Sequence, residues 1–189
     1  MPRTKRLSDE QVLDAALNLL HERGPEALTF ESVARACGLS AATLVQRFKS
    51  KAGLKQGTLL LAWDRLDEKT AQLAATVPKT PDGAVELLVA LSSDYGGIET
   101  YAEGLLVLRE DLRDPILRAR GAAWKAALSS ALEDCFSQVR HAPQGIGLLT
   151  ASQWQGSLLW WSFDPEGGVE SYVEASLRRF IYAIVVSGS

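Results

Sequence analysis

Thr29-Phe30-Glu31-Ser32-Val33-Ala34-Arg35-Ala36-Cys37-Gly38-Leu39-Ser40-Ala41-Ala42-Thr43-Leu44-Val45-Gln46-Arg47-Phe48 reads as two short helices meeting at Gly38. A wide-angled corner needs a left-handed residue at the end of the first helix, which glycine supplies without Cβ strain. It also needs a fresh N-cap for the second, and the Ser40 hydroxyl can provide one. Thr29 is the candidate cap of the first helix, in which Phe30, Val33, Ala34 and Cys37 fall at helical spacing. Leu44 and Phe48 lie one turn apart and are expected to face inward. Ala41, Ala42, Thr43, Val45, Gln46 and Arg47 are left for the outside or the flanks. That face is small at its N-terminal end and polar further on, as a helix approaching base edges must be.

A helix-glycine-helix alone is a common structural corner, so its surroundings matter. Upstream, Ser8 and Gln11 have the form of a capping box, and Val12, Ala15, Ala16, Leu19 and Leu20 follow as one stripe before Gly24 and Pro25 end the helix. Such a stripe can pack on both shorter helices. Charge is segregated too: up to residue 57 there are nine Lys and Arg against six acids, whereas beyond it there are eleven against seventeen. A basic N-terminal end on an acidic body makes double-stranded DNA the leading partner.

Residues 8–55 resemble the DNA-binding domain of TetR-family transcriptional regulators. The family's third helix reads Ser-x-x-Thr-Leu-Tyr-x-His-Phe, followed by x-Ser/Asn-Lys-x-x-Leu. Here it stands as Ser40-Ala41-Ala42-Thr43-Leu44-Val45-Gln46-Arg47-Phe48-Lys49-Ser50-Lys51-Ala52-Gly53-Leu54. Val45 replaces the usual Tyr, whose hydroxyl holds a phosphate, and Arg47 replaces the frequent His. The resemblance implies a DNA-facing set of Thr29, Ser40, Ala41, Ala42, Thr43, Gln46, Arg47 and Lys51. Within it Thr43 and Lys51 meet phosphates, Ala42 and Gln46 face bases, and Arg47 is the neighbour able to take over the lost Tyr contact. Arg3, Lys5 and Arg6 form a short basic arm that either tracks the DNA or is a solvated tail.

The remainder reads as helices only, at about 50–75, 82–95, 98–112, 115–140, 146–163 and 169–186. Gly96-Gly97, Asp114-Pro115, Ala142-Pro143 and Asp164-Pro165 punctuate them. The expectation is therefore an all-α protein of about nine helices. Residues 1–50 form a three-helix helix-turn-helix domain, and 51–189 a helical effector-binding and dimerisation domain. At 189 residues, with 47% apolar and 23% charged content, the chain can bury a sizeable core. No signal sequence or membrane partner is expected, because the late apolar run Phe180 to Val186 is far shorter than the roughly 20 residues a bilayer crossing needs. Cys37 and Cys135 form no CxxC, which suits a reducing cytoplasm.

The last two helices carry more apolar residues than one core-facing stripe uses. A homodimer follows as an expectation, its interface drawn from Leu149, Trp154, Gly156, Leu159, Trp160, Tyr172, Leu177, Phe180 and Ile184. Gln155-Gly156-Ser157-Leu158-Leu159-Trp160 also looks like the penultimate helix of TetR-type proteins, and that likeness implies a four-helix interface. The alternative is a monomeric bundle that keeps both helices inside. The family resemblance further implies a small-molecule effector of unknown identity, with a pocket among residues 82–140. Trp63, Tyr95, Tyr101, Leu105, Trp124 and Trp154 are the candidate lining, although aromatics at helical spacing are also ordinary core.

Enzymes are the competing class. His21 and His141 stand alone, there is no HExxH or paired metal-ligand spacing, and no glycine-rich phosphate loop. No catalytic residue, metal or cofactor is therefore expected. A third reading is a ligand- or protein-binding helical dimer whose headpiece has lost DNA affinity, with Val45 as its support.

Overall fold

The computed structural model describes residues 7–186, apart from the side chains of Val185 and Val186. Among these residues there are nine α-helices and no strand: α1 (Asp9–Arg23), α2 (Phe30–Cys37), α3 (Ala41–Phe48), α4 (Lys51–Thr76), α5 (Pro81–Ser92), α6 (Ile98–Arg113), α7 (Pro115–Cys135), α8 (Ile146–Phe163) and α9 (Val169–Val186). No helix among them is long and apolar enough to cross a membrane. The chain divides into two compact units, one holding residues up to Arg65 with Glu103–Gly121, the other Leu66–Ala102 with Ala122 onward. The division expected at residue 50 is thus not where the compact units part, because α4 runs unbroken past it.

In the first unit, local chemistry sets each boundary. Ser8 Oγ accepts from the Gln11 amide at 3.2 Å while Gln11 Oε1 accepts from the Ser8 amide at 3.0 Å, so two otherwise orphaned donors of α1 are satisfied. Thr29 and Ser32 repeat the arrangement at α2. Val12, Ala16 and Leu20 of α1 meet Val33 and Ala34 of α2, Leu44 of α3, and Leu54 and Leu59 of α4 in one buried cluster. Burial of each larger side chain contributes about 1.5–3 kcal/mol, which sums to the cohesion of a small headpiece.

Further along α4, polar side chains tie it to α6 and the start of α7. Lys55 Nζ meets Glu110 at 2.5 Å, Gln56 donates to Asp114 at 2.7 Å, and Trp63 Nε1 donates to Asp111 at 3.1 Å. The Lys55 hydrogen bond pulls the Glu110 carboxyl below its usual range, whereas burial pushes Asp111 up. A raised carboxyl binds its proton more tightly folded than unfolded. Its stabilising contribution is therefore complete below the unfolded value, about 3.9, and is lost as pH rises through the folded one. At neutral pH the Asp111 charge opposes folding. Asp111→Asn keeps an acceptor for Trp63 and removes that charge, so thermal melts should show a higher Tm at pH 7, by roughly 2–4 °C per kcal/mol gained, and a smaller gain at pH 4. A lower Tm at pH 7 would mean that the charged form is the stabilising one.

In the second unit α9 packs against both α5 and α8. Thr80 Oγ1 caps α5 by accepting from Gly83. Leu87, Leu88 and Leu91 of α5, Leu128 and Leu132 of α7, Trp154 and Leu158 of α8, and Val173 and Leu177 of α9 are buried. Two helices stop earlier than their sequence pattern suggests. The α5 helix ends at Ser92, with Ser93–Tyr95 forming a 3-10 turn, and α7 ends at Cys135 instead of near residue 140. Past Cys135, Phe136 and Ser137 bond three residues back, to Glu133 and Asp134, which tightens the chain out of the helix while Phe136 stays buried.

Candidate nucleic-acid interface

The corner between α2 and α3 is built from its sequence. Gly38 is left-handed at φ 66° and ψ 31°, and its amide closes α2 on Ala34 and Arg35. Ser40 Oγ accepts from the Thr43 amide at 3.2 Å and shares a 2.8 Å hydrogen bond with the Thr43 hydroxyl, opening α3. Leu44 is fully buried beneath. Burial of that one residue fixes the rotation of α3 and turns Ala42, Val45 and Gln46 outward.

Not every expected residue keeps its expected role. Ser40, Ala42, Gln46 and Lys51 are exposed, and Thr43 is half-buried at the helix start. The Thr29 hydroxyl is occupied in the α2 cap, and Ala41 packs against the hydrophobic cluster. Arg47 is the clear correction. Its Nη1 donates to the Leu7 carbonyl at 2.8 Å and lies 3.3 Å from Asp9, with the side chain only 24% exposed. A guanidinium held this way binds the chain entering α1 to α3, so it is not a free substitute for a phosphate-binding Tyr. Val45, 44% exposed, leaves an apolar spot in that place. The basic arm expected at Arg3, Lys5 and Arg6 lies outside the described residues.

Two residues of this surface escaped sequence reasoning. Lys49 is the one non-glycine residue with positive φ among the described residues, at 68°. Its amide closes α3 on Val45, and its exposed ammonium stands at the helix end. Gly53, in the first turn of α4, lies so close to the Phe48 carbonyl oxygen that a Cβ there would overlap it. Both fall at positions where the motif accepts any residue, so no pattern marks them. Ser50 Oγ accepts from the Gly53 amide at 3.0 Å and so caps the positive end of α4, where the exposed Lys51 lies 3.9 Å from Glu26. Small side chains, an amide, cations and a helix N-terminus together suit contact with bases and phosphates.

The expected effector lining is drawn from both units. Trp63 and Leu105 belong to the first unit, where Trp63 is engaged by Asp111 and Leu105 is exposed. Tyr95, Tyr101, Trp124 and Trp154 belong to the second. There Trp124 and Trp154 lie 6.3 Å apart, with their indole N–H groups bonded to Thr70 and Ser92. Of the expected dimer residues, Leu149, Leu159 and Trp160 are exposed, and Gly156 has open space where a Cβ would stand. Tyr172, Phe180 and Ile184 are half-buried. Trp154 and Leu177 are corrections, since both face their own unit's core at 2% and 0% exposure and offer no surface to a partner. Phe163 and Tyr182, 74% and 69% exposed, join the outward set instead.

Residues 12–56 match the family model described as bacterial regulatory proteins, tetR family. The chain is similar to the HTH-type transcriptional regulator AlkX of Mycobacterium tuberculosis, 43% identical over 75 residues, which cover 39% of this chain and 36% of that relative's length. Among solved structures it is similar to the TetR family transcriptional regulator PfmR from Thermus thermophilus, with TM-score 0.61 and 21% identity over 93% of this chain and 97% of that one. A similar likeness holds for the multidrug binding protein EbrR, solved in complex with imidazole, at TM-score 0.63 and 21% identity over 95% and 96% of the two chains. At such identities the structural likenesses establish the all-α fold.

Proposed function

We propose that the chain, whose residues 12–56 match the tetR family model, is a transcriptional regulator that binds a palindromic operator as a homodimer, represses transcription and is released by a small molecule. The observation that carries the reading is the exposed face of α3, with Ala42 and Gln46 outward and Lys51 at the adjoining helix N-terminus. Gln46 can make a bidentate contact with adenine, and Lys51 can neutralise a phosphate. One headpiece covers too little DNA for tight binding. Two related by a dyad read half-sites about 34 Å apart, and the exposed apolar row of α8 supports that pairing. The binding of imidazole by EbrR supports a small-molecule effector here. The protein would act in the cytoplasm, where its DNA lies.

Gel shifts with DNA from around the protein's own gene test this. Wild-type binding should weaken steeply with salt, and Lys51→Ala should weaken all sequences alike while lowering the salt slope by about one per headpiece. Gln46→Ala should instead change base preference, by about 1–3 kcal/mol at a single position. The exposed Val45 and the engaged Arg47 favour a second reading, a ligand- or protein-binding dimer with an inactive headpiece. Absent or salt-independent binding to every genomic fragment would decide for it.

A further inference from the structure

Trp161 breaks the pattern set by the other two buried indoles of the second unit. Trp154 Nε1 donates to Ser92 Oγ at 2.8 Å and Trp124 Nε1 to Thr70 Oγ1 at 3.0 Å, each to a hydroxyl supplied by another helix. Trp161 is only 2% exposed, yet its Nε1 reaches no acceptor in the protein. The large majority of buried side-chain polar atoms are paired, because an orphaned donor costs about 1–3 kcal/mol. A residue serving packing alone needs no N–H, and Phe would fill such a place without that cost.

The surroundings indicate what could meet this donor. Tyr101, 6% exposed, packs edge-on to Trp161 with centroids 6.4 Å apart, and Tyr95 packs edge-on to Tyr101 at 5.4 Å. Burial, then the neighbouring Tyr101 and Asp94, push the Tyr95 phenol up to about 12, so it stays uncharged at neutral pH. Three aromatic rings and donor groups favour a flat apolar body bearing an acceptor oxygen. An anion is disfavoured, since Asp94 lies next to Tyr95 and Lys69 is already engaged by Asp94 at 2.7 Å. Tyr95 is carried by a single 3-10 turn that Gly96 and Gly97 follow, and a turn with so few backbone bonds is the side of the cluster best able to yield.

We propose that Tyr95, Tyr101 and Trp161 form a binding site for uncharged aromatic carbonyl compounds, whose oxygen accepts from Trp161 Nε1 and whose ring packs against the two tyrosines. As the effector's site, this rests on the reading of the chain as a ligand-released regulator. As a binding site, it stands on the cluster.

The test is a titration of the full-length protein with 2-acetylnaphthalene and, as a control of nearly equal shape lacking the oxygen, 2-ethylnaphthalene. The ketone should bind at least about tenfold more tightly, the equivalent of satisfying one buried donor. Trp161→Phe should erase that preference, bringing the ketone's affinity to the hydrocarbon's in the same variant. In unsubstituted protein, the indole N–H resonance missing from the Trp161→Phe spectrum should move downfield with the ketone and not with the hydrocarbon. Equal affinities, a preference that survives Trp161→Phe, an unmoved resonance, or binding of neither compound would each overturn the site. Operator release is scored separately by gel shift. Ketone binding at Trp161 without release would support the site and overturn its effector role, whereas ketone binding by a protein that never engages DNA would support the site and overturn the regulator reading.

Discussion

Gly53→Ala is expected to lower the stability of the headpiece and to weaken operator binding. Two effects oppose each other at this position. Alanine in a helix interior is favoured over glycine by about 1 kcal/mol. Against that, the new Cβ would overlap the Phe48 carbonyl oxygen, and a backbone atom cannot rotate aside as a long side chain could. Overpacking that shifts backbone costs about 1–3 kcal/mol and at times more, so the steric term should win. The strain falls on the joint between α3 and α4, so α3 should change its angle even in molecules that remain folded. Operator affinity should then fall by tenfold or more, beyond what the unfolded fraction explains. Gly104→Ala provides the contrast, for it lies within α6 with nothing close to its added carbon. That variant should gain about 0.5–1 kcal/mol. Calorimetry and gel shifts on the pair decide the matter, and a Gly53→Ala protein that melts no lower than wild type would refute the described joint.

For the proposed homodimer, Leu159→Glu combined with Trp160→Glu should leave only monomers. Trp160 is 66% exposed and stacks near Phe163 with centroids 6.0 Å apart, while Leu149, Gly156, Trp160 and Phe163 follow one another at the i, i+7, i+11, i+14 spacing of a single stripe along α8. A tryptophan at the centre of an interface commonly carries 2 kcal/mol or more, and a twofold interface counts each substitution twice. A loss of at least about 4 kcal/mol follows, or a thousandfold in the dimer dissociation constant, before the cost of burying two carboxylates is added. Sedimentation at micromolar concentration should then show the 20.5 kDa chain alone. Operator binding should collapse with it, although each headpiece keeps its melting behaviour. A variant that remains dimeric would move the interface away from α8.

The helix corners were readable because each is a local transaction. A hydroxyl at Ser8, Thr29 or Ser40 meets an amide three residues on, and Asp114 with Pro115 does the same for α7. Such signals need no knowledge of distant partners. Where the sequence has no breaker, as between Cys135 and Pro143, the helical pattern runs past the true end, because the early exit of α7 depends on where Phe136 is buried.

The roles of side chains divide along the same line. Periodicity tells which residues share a face of a helix, but not what that face meets. Arg47 looks like a free cation beside its neighbours in the chain, and only the approach of Leu7 and Asp9, some forty residues away, engages it. Trp154 and Trp160 are equally apolar on one helix, yet the first turns into the core and the second outward. Trp161 looks no different from either until the acceptors around each indole are located. By itself, then, the sequence determined the helices, their caps, the recognition helix and the basic character of one end, all consequences of contacts within a few residues. Which polar groups are engaged, which apolar faces remain outside and which buried donor lacks an acceptor were decided by tertiary structure alone, because hydrogen bonds and packing join residues far apart in the chain.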